Sequence, residues 1–388
     1  GQIVIGKRHR ALMIASVASM IDQFNMQNIQ ILLEKGFDVD VACNCENGNT
    51  VSNDRIQDMI GRLEEMGVRV KHLPIPRKIT AIGDIIKSIL ELGKMFKENE
   101  YTLMHCHSPI GSIVARTVAR KYRKRGLKVI YTAHGFHFCH GAPIVNWLLF
   151  YPIERIYSRI TDVLITINKE DFQFAKKHLK TREVKYVPGV GVDTKKFQNI
   201  STDRKTKRSE LGIKDSDFVI ISVGELSKRK NHETIVRAIA SLKKDNIHYF
   251  IAGQGSKRDY LISLANALKV NLHLLGYRTD IAELLNCADV YAFPSYREGL
   301  PVALMEAMAS GLPCIASNIR GNTDLILSQK NGYLCDANNV EAFATAIKRL
   351  YEDESLIIAM GDNNRVVIRD YDIKVVSAMM SEIYECYC

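Results

Sequence analysis

The sequence predicts an α/β protein made of two Rossmann-like, doubly wound domains facing a cleft. Three observations predict it. Short apolar runs alternate with helix-period segments along the chain. The alternation breaks at a polar stretch near the middle and then restarts. The length of 388 residues suits two domains of about 190 residues each, at roughly 150 per domain. Strand, helix, strand repeated in this way implies parallel sheets covered on both faces. Ligands of such sheets bind beyond the carboxyl ends of the strands.

The first set of buried strands is read at residues 11–17, 39–42, 68–73, 103–106, 129–132 and 163–167. Helical segments separate them. In one, Ile82, Ile85, Ile86, Ile89, Leu92, Met95 and Phe96 share a face, with charges opposite. These strands define a first domain, residues 1–189. Residues 191–217, polar and charged across 198–208, read as the linker. A second set follows at 218–223, 249–252, 272–275, 290–293 and 314–316, in a domain spanning 190–370. The tail, 371–388, has a helical stripe of Val375, Val376, Met379, Met380 and Ile383. It either packs back on the first domain or caps the second.

A composition of 46% hydrophobic and 25% charged residues excludes disordered, collagen-like and coiled-coil classes. The net charge is +10 and lies entirely in one half. Residues 1–189 hold 28 Lys and Arg against 18 Asp and Glu, whereas 190–388 hold 25 of each. A basic surface attracts nucleic acid, anionic membrane or phosphorylated substrates. The nine cysteines are odd in number and form no CxxC pair, which argues against a disulfide framework or zinc site and for a reducing, cytoplasmic setting. Residues 1–10 carry no apolar core of the signal-peptide type. No apolar run approaches the ~18 residues of a spanning helix, so the expectation is a soluble or peripheral protein.

The strongest chemical signal is FPSYREGLPVALMEAMASGLP at 293–313. A strand ends at Pro294, a turn carries Glu298 and Gly299, and Pro301 suits an early helical position. Gly311 and Pro313 stop the helix. Its start aims unpaired N–H groups at the space near Glu298, as in a phosphate site. A carboxylate beside a phosphate is unfavourable unless it meets hydroxyls, such as those of a sugar. Read singly, Glu298 is also consistent with a helix-end charge and Glu306 with a solvated face.

These residues carry a family resemblance. The Glu-x7-Glu pair Glu298 and Glu306, within EGLPxxxxEAMAxGxPxxA, resembles the retaining glycosyltransferases of family 4, which have the GT-B fold. VGELSKRKN at 223–231 is similar to the family's VGRLxxxKG, and IAGQG at 251–255 to its GxG turn. LGY at 275–277 with ADV at 288–290, GVD at 191–193 with Phe197, and TAHGFHF at 132–138 complete an ordered set. The first-domain segment looks like bacterial capsule and exopolysaccharide enzymes.

The resemblance implies roles for individual residues. Lys230 contacts the donor diphosphate, with Arg229 beside it and the backbone of Gly299, Leu300, Pro301 and Val302 cradling it. Glu306 binds ribose hydroxyls and Glu298 hydroxyls of the transferred sugar. Gly224, Gly253 and Gly255 shape the nucleotide turns, and His134 reaches the donor sugar. The implied reaction moves a sugar from a nucleoside diphosphate sugar, a UDP-sugar for choice, with retention. The leaving phosphate can take the acceptor proton, so no protein base and no essential metal are expected. Three Asp-x-Asp pairs, at 38/40, 215/217 and 370/372, lie away from any donor-metal position. A polyprenyl-diphosphate-linked sugar or a saccharide is the expected acceptor.

Departures from the family pattern stand out. Glu225 occupies the place of an arginine, leaving Arg229 or Lys228 to supply that charge. Asn231 replaces a glycine, and the first strand leads into 16–20 without a Gly-Gly loop. His105, His107, His137 and His140 lie near strand ends, without the spacing of a zinc trio.

Arg116, Arg120, Lys121, Arg123, Lys124, Arg125 and Lys128 form an acid-free run. It fits either a helix C-terminus complementing the macrodipole or contact with anionic phospholipid. The nearby Trp147, Leu148, Leu149, Phe150 and Tyr151 suit a buried helix, an acceptor pocket or a bilayer interface. Two rival functions remain at this point. A nucleotide-sugar epimerase of the same fold is disfavoured by the EGLPxxxxEAM pattern. A nucleic-acid-binding protein lacks any helix-turn-helix, zinc-finger or RNP-type motif to support it, so no nucleic-acid partner is expected.

Overall fold

The computed structural model describes residues 8–388. The sequence reading of the opening segment therefore falls, for residues 1–7, outside the described residues. The chain divides into two compact units. One comprises residues up to Val190 together with Val376–Cys388, and the other is Gly191–Val375.

The first unit holds seven strands: β1 (Arg10–Val17), β2 (Asp38–Asn44), β3 (Arg69–His72), β4 (Tyr101–His107), β5 (Lys128–Ala133), β6 (Val163–Thr166) and β7 (Glu183–Tyr186). They form one parallel sheet in the order β3-β2-β1-β4-β5-β6-β7. Its central strands are apolar on both sides because helices cover both faces. Along β1, Ala11, Met13 and Ala15 enter one core while Leu12 and Ile14 enter the other. This is the two-residue period of a strand. The C-terminal helix Ile373–Glu385 packs on the first of these faces through Val376, Met380, Ile383 and Tyr384.

The second unit repeats the plan with β8 (Phe218–Val223), β9 (Ile247–Ala252), β10 (Asn271–Gly276), β11 (Val290–Phe293), β12 (Cys314–Ser317) and β13 (Gly332–Cys335). The parallel order is β10-β9-β8-β11-β12-β13. Each sheet reverses its strand order once, between β1 and β4 and between β8 and β11. The loops leaving those strands part to opposite faces, which opens a crevice at their carboxyl ends.

Two strands escaped the sequence reading. β7, Glu-Val-Lys-Tyr, is a partly exposed edge whose charges mask any apolar run. β13 opens on Gly332 and is four residues long. The linker reading also needs correction. Residues 194–210 hold two short helices, Thr194–Gln198 and Arg204–Glu210, within the second unit. Arg208, read as a polar linker residue, is 1% exposed. It donates to the carbonyls of Cys287, Lys214 and Asp217 and to the Asp289 carboxylate. The charge density there builds an internal ion pair rather than a linker. Among the described residues, no helix is long and apolar enough to cross a membrane.

Candidate active site

At the second switch point, the segment after β8 meets the segment after β11. Lys230 Nζ donates to Glu298 Oε1 at 2.6 Å, and Arg229 Nη1 lies 3.4 Å from the same oxygen. Arg229 also donates to the carbonyl of Arg297 at 3.0 Å, while Tyr296 N donates to Arg229 O at 2.9 Å. The two loops are thus tied through both backbone and side chains. The Glu298 side chain is only 8% exposed. A buried carboxylate requires such cationic partners. Arg229 rather than Lys228 is the second cation near Glu298, which bears on the charge displaced by Glu225.

Asn231, noted only as a departure, has a structural task. It sits in the left-handed region at φ 58°, which asparagine tolerates better than most residues. Its Nδ2 donates to Pro294 O at 3.0 Å and Ala337 O at 2.9 Å. It therefore staples the end of β11 beside Lys230. The sequence flags the unusual residue but carries no sign of these distant partners.

Gly253 and Gly255 are required by close backbone approach. A Cβ on Gly253 would stand 1.8 Å from the carbonyl oxygen of Gly224, and one on Gly255 2.3 Å from that of Leu226. The turn after β9 therefore presses on the turn after β8. Gly224 N donates to Ala252 O and Leu226 N to Gln254 O. Lys230's stem runs past Gly224, with Cε 3.4 Å from where a Cβ would be.

Gly299 and Leu300 are half-buried, and Pro301 is buried at the N-cap of the helix Val302–Ala309. The first i→i−4 bond there is Met305 N to Pro301 O, at 3.1 Å. Glu306 lies one turn into this helix and is half-buried. Burial raises its pKa to about 7, opposed by the positive charge of Lys196. Lys196, on the helix Thr194–Gln198, was not read as a site residue. Its link to Glu306 is tertiary and leaves no mark in the sequence.

In the first unit, His134 follows β5 and is half-buried. Its Nε2 lies 3.1 Å from His107 Nδ1, and its ring is 5.2 Å from Phe24. His107 ends β4, next to Ser108, a non-glycine residue at φ 71°. His105 bonds Tyr384 Oη at 2.6 Å and Thr132 Oγ1 at 2.7 Å. Burial lowers the pKa of His134 to about 4 and of His105 to about 3, and places His107 well below the ordinary histidine value. All three rings are neutral near pH 7. Ser16, where a Gly-Gly loop was missing, instead accepts from Gly111 N at 2.9 Å.

The basic run divides. Arg116 is not a surface cation, contrary to the sequence reading. It is fully buried, donating to Glu154 at 2.9 and 3.3 Å and to Thr161 at 3.1 Å, with Tyr131 stacked at 4.3 Å. Its place in the helix Pro109–Arg123 faces the sheet, on the same stripe as Ser112 and Ala119. Arg123 is partly committed to Asp162 at 2.7 Å. Arg120, Lys121, Lys124 and Arg125 remain exposed. Arg120, Lys121 and Lys124 share a groove of about 740 Å³ with Lys94 and Lys97 of the helix Ile82–Glu98, over Ile89, Leu90 and Val118. In the helix Ile144–Ser158 the faces separate: Trp147, Phe150 and Tyr151 pack inward, while Ile144, Val145 and Leu148 are exposed.

The chain matches two family models, "Glycosyl transferases group 1" over residues 203–367 and "Glycosyl transferase 4-like" over 13–168. It is 37% identical to EpsD of Bacillus subtilis over 76% of this chain and 80% of that protein. It is 30% identical to an Escherichia coli UDP-Gal:α-D-GlcNAc-diphosphoundecaprenol α-1,3-galactosyltransferase, over 94% of both chains. Among solved structures, Anabaena Alr3699/HepE in complex with UDP and glucose superposes with a TM-score of 0.76 at 17% identity, covering 97% of this chain and 100% of that one. Two Rossmann-like units with these motifs in this order identify the chain as a member of the group 1 glycosyltransferase family, with the GT-B fold.

Proposed function

We propose that this glycosyltransferase moves a sugar from a UDP-sugar, with retention and without an essential metal, to a lipid-diphosphate-linked or saccharide acceptor in cell-surface polysaccharide synthesis. The observation that carries the reading is the convergence of Lys230, Arg229 and Glu298 at the switch point of β8 and β11. Lys230 and Arg229 would take the diphosphate, helped by the N–H groups opening the helix Val302–Ala309. They then stabilise the charge that grows on the leaving phosphate. Glu298, freed from them, would accept hydroxyls of the transferred sugar, and Glu306 those of the ribose. A leaving phosphate oxygen on the same face can receive the acceptor proton.

The relatives support the substrate class. The Escherichia coli relative is named for UDP-Gal and a diphosphoundecaprenol-linked acceptor. A Campylobacter jejuni relative, 23% identical over 84% of this chain and 87% of its own length, is named for α-1,3 transfer to another diphospho-undecaprenol sugar. An exposed apolar strip (Ile144, Val145, Leu148) and the cations around Arg120 suit a protein that meets such an acceptor at an anionic membrane surface on the cytoplasmic side.

The test is transfer by the purified chain from UDP-, GDP- and ADP-sugars to undecaprenyl-diphosphate-linked sugars, with and without EDTA. Transfer from one UDP-sugar, giving a product of the donor's anomeric configuration, is expected. An inverted product would overturn retention, and loss of activity in EDTA would overturn metal independence. Failure of every UDP-sugar to bind would overturn the donor assignment.

A further inference from the structure

Met13 in β1, His107 at the end of β4 and His134 just past β5 come from three neighbouring strands and meet in a line. His107 Nε2 lies 3.2 Å from Met13 Sδ, and His107 Nδ1 lies 3.1 Å from His134 Nε2. A thioether sulfur accepts hydrogen bonds and has no proton to give. The Met13 contact is a hydrogen bond only if His107 carries its proton on Nε2. A neutral imidazole has one N–H, so His107 Nδ1 is then bare and must accept. The proton between the two histidines consequently belongs to His134 Nε2. That leaves His134 Nδ1 with a lone pair and no proton.

The neighbouring ring does not disturb this order. His105 lies against His107 with centroids 4.1 Å apart and the rings tilted by 33°, but its nitrogens are engaged by Tyr384 and Thr132. The four ring nitrogens of His105 and His107 thus point at separate partners and do not converge on one cation. Burial disfavours the charged forms of His107 and His134, so the one-proton count applies to both.

We propose that Met13, acting through His107, sets the tautomer of His134 so that its Nδ1 is an obligate hydrogen-bond acceptor. Met13 and His107 are positioning residues in this scheme. The consequence for substrate rests on the reading that His134 faces the transferred sugar. A bare nitrogen there accepts a hydrogen bond from a neutral hydroxyl and repels a carboxylate or phosphate oxygen. On that reading, a sugar with a free hydroxyl against this nitrogen is favoured over the corresponding uronic acid.

The test uses the full chain carrying ¹⁵N-histidine and needs no donor or acceptor, so it stands or falls apart from the transferase reading. Long-range ¹H–¹⁵N correlation distinguishes protonated from bare ring nitrogens. The proton is expected on Nε2 of both His107 and His134, with a coupling across the hydrogen bond from His134 Nε2 to His107 Nδ1. Met13→Leu keeps the volume and removes the acceptor, and should shift His134 towards a mixture containing the Nδ1–H form. Selenomethionine substitution, which restores a chalcogen acceptor, should keep the original pattern. A proton on His134 Nδ1 in the unaltered chain, or an unchanged pattern in Met13→Leu, would overturn the proposal. Should Met13→Leu not fold, the direction of the coupling in the unaltered chain decides alone.

Discussion

Lys230 and Glu298 neutralise each other across 2.6 Å although 68 residues separate them. Their strands, β8 and β11, are sequence-distant neighbours at the sheet's switch point. The pair solves an electrostatic problem: a carboxylate whose side chain is 8% exposed is tolerable because Lys230, the proposed phosphate ligand, is its counter-ion. Diphosphate binding would draw Lys230 away and leave Glu298 ready for hydroxyls.

The first prediction separates the two roles. Lys230→Ala removes a charge-assisted hydrogen bond worth about 1.5–3 kcal/mol, so UDP affinity should fall roughly 10- to 150-fold. Glu298→Gln releases Lys230 and should leave UDP binding unchanged or tighter, while transfer falls by about 10²-fold or more. Calorimetric UDP titration beside steady-state transfer reads both. Equal loss of UDP binding in the two variants would contradict this division.

The second concerns Glu306, whose folded pKa is raised to about 7 by burial. Its unfolded value is near 4.3. The penalty for holding the charged form is absent below pH about 4 and complete above pH about 7. Stability should therefore decline as pH rises between those limits, by up to about 4 kcal/mol from this group. Glu306→Gln should flatten that slope and raise the melting temperature at pH 8. It should also remove a proton release that accompanies nucleotide binding below pH 7. A slope identical in both proteins would count against the assignment.

A third prediction tests the turn after β9. Gly253→Ala sets a methyl 1.8 Å from the Gly224 carbonyl, whereas Gly276→Ala meets nothing within 4 Å and is strained only by its φ of 69°. Overpacking costs about 1–3 kcal/mol or more and αL strain about 1–2. A contact as short as 1.8 Å takes the upper end, about 3 kcal/mol, so at about 2–4 °C per kcal/mol for a unit of this size Gly253→Ala should lower the second unit's melting temperature by about 6–12 °C. Gly276→Ala should lower it by about half as much or less. Calorimetry of the full chain resolves the two, and similar losses would refute the close-approach argument.

The sequence carries most of this fold because most strands are buried on both faces and so read as unbroken apolar runs. β7 and β13 lack that property, one being charged and the other beginning on glycine. Motif pieces such as Lys230 and Glu298 are visible locally, but nothing local says that β8 adjoins β11. Arg116 was misread for a different reason. It lies four residues after buried Ser112 and three before buried Ala119, so helical phase already turned it inward. Only its partner Glu154, 38 residues away, was beyond the reach of such reasoning.

That distinction yields a last prediction. Arg116→Met strands Glu154, 7% exposed, without its cation, and should destabilise the first unit by about 3–5 kcal/mol. The double change Arg116→Met with Glu154→Leu should recover much of that, because two apolar groups need no mutual charge. Charge reversal at Arg120, Lys121 and Lys124, all exposed, should leave stability within about 0.5 kcal/mol. The surface changes should instead act on lipid. Each cation near an anionic bilayer contributes about 1 kcal/mol, so three reversals should weaken sedimentation with phosphatidylglycerol vesicles by two or more orders of magnitude. Leu148→Ser, on the exposed apolar strip of the helix Ile144–Ser158, should weaken the same binding without altering its salt dependence. The charge reversals, by contrast, should flatten that salt dependence. Unchanged vesicle binding after the triple reversal would reduce these cations to helix-end complements of the macrodipole.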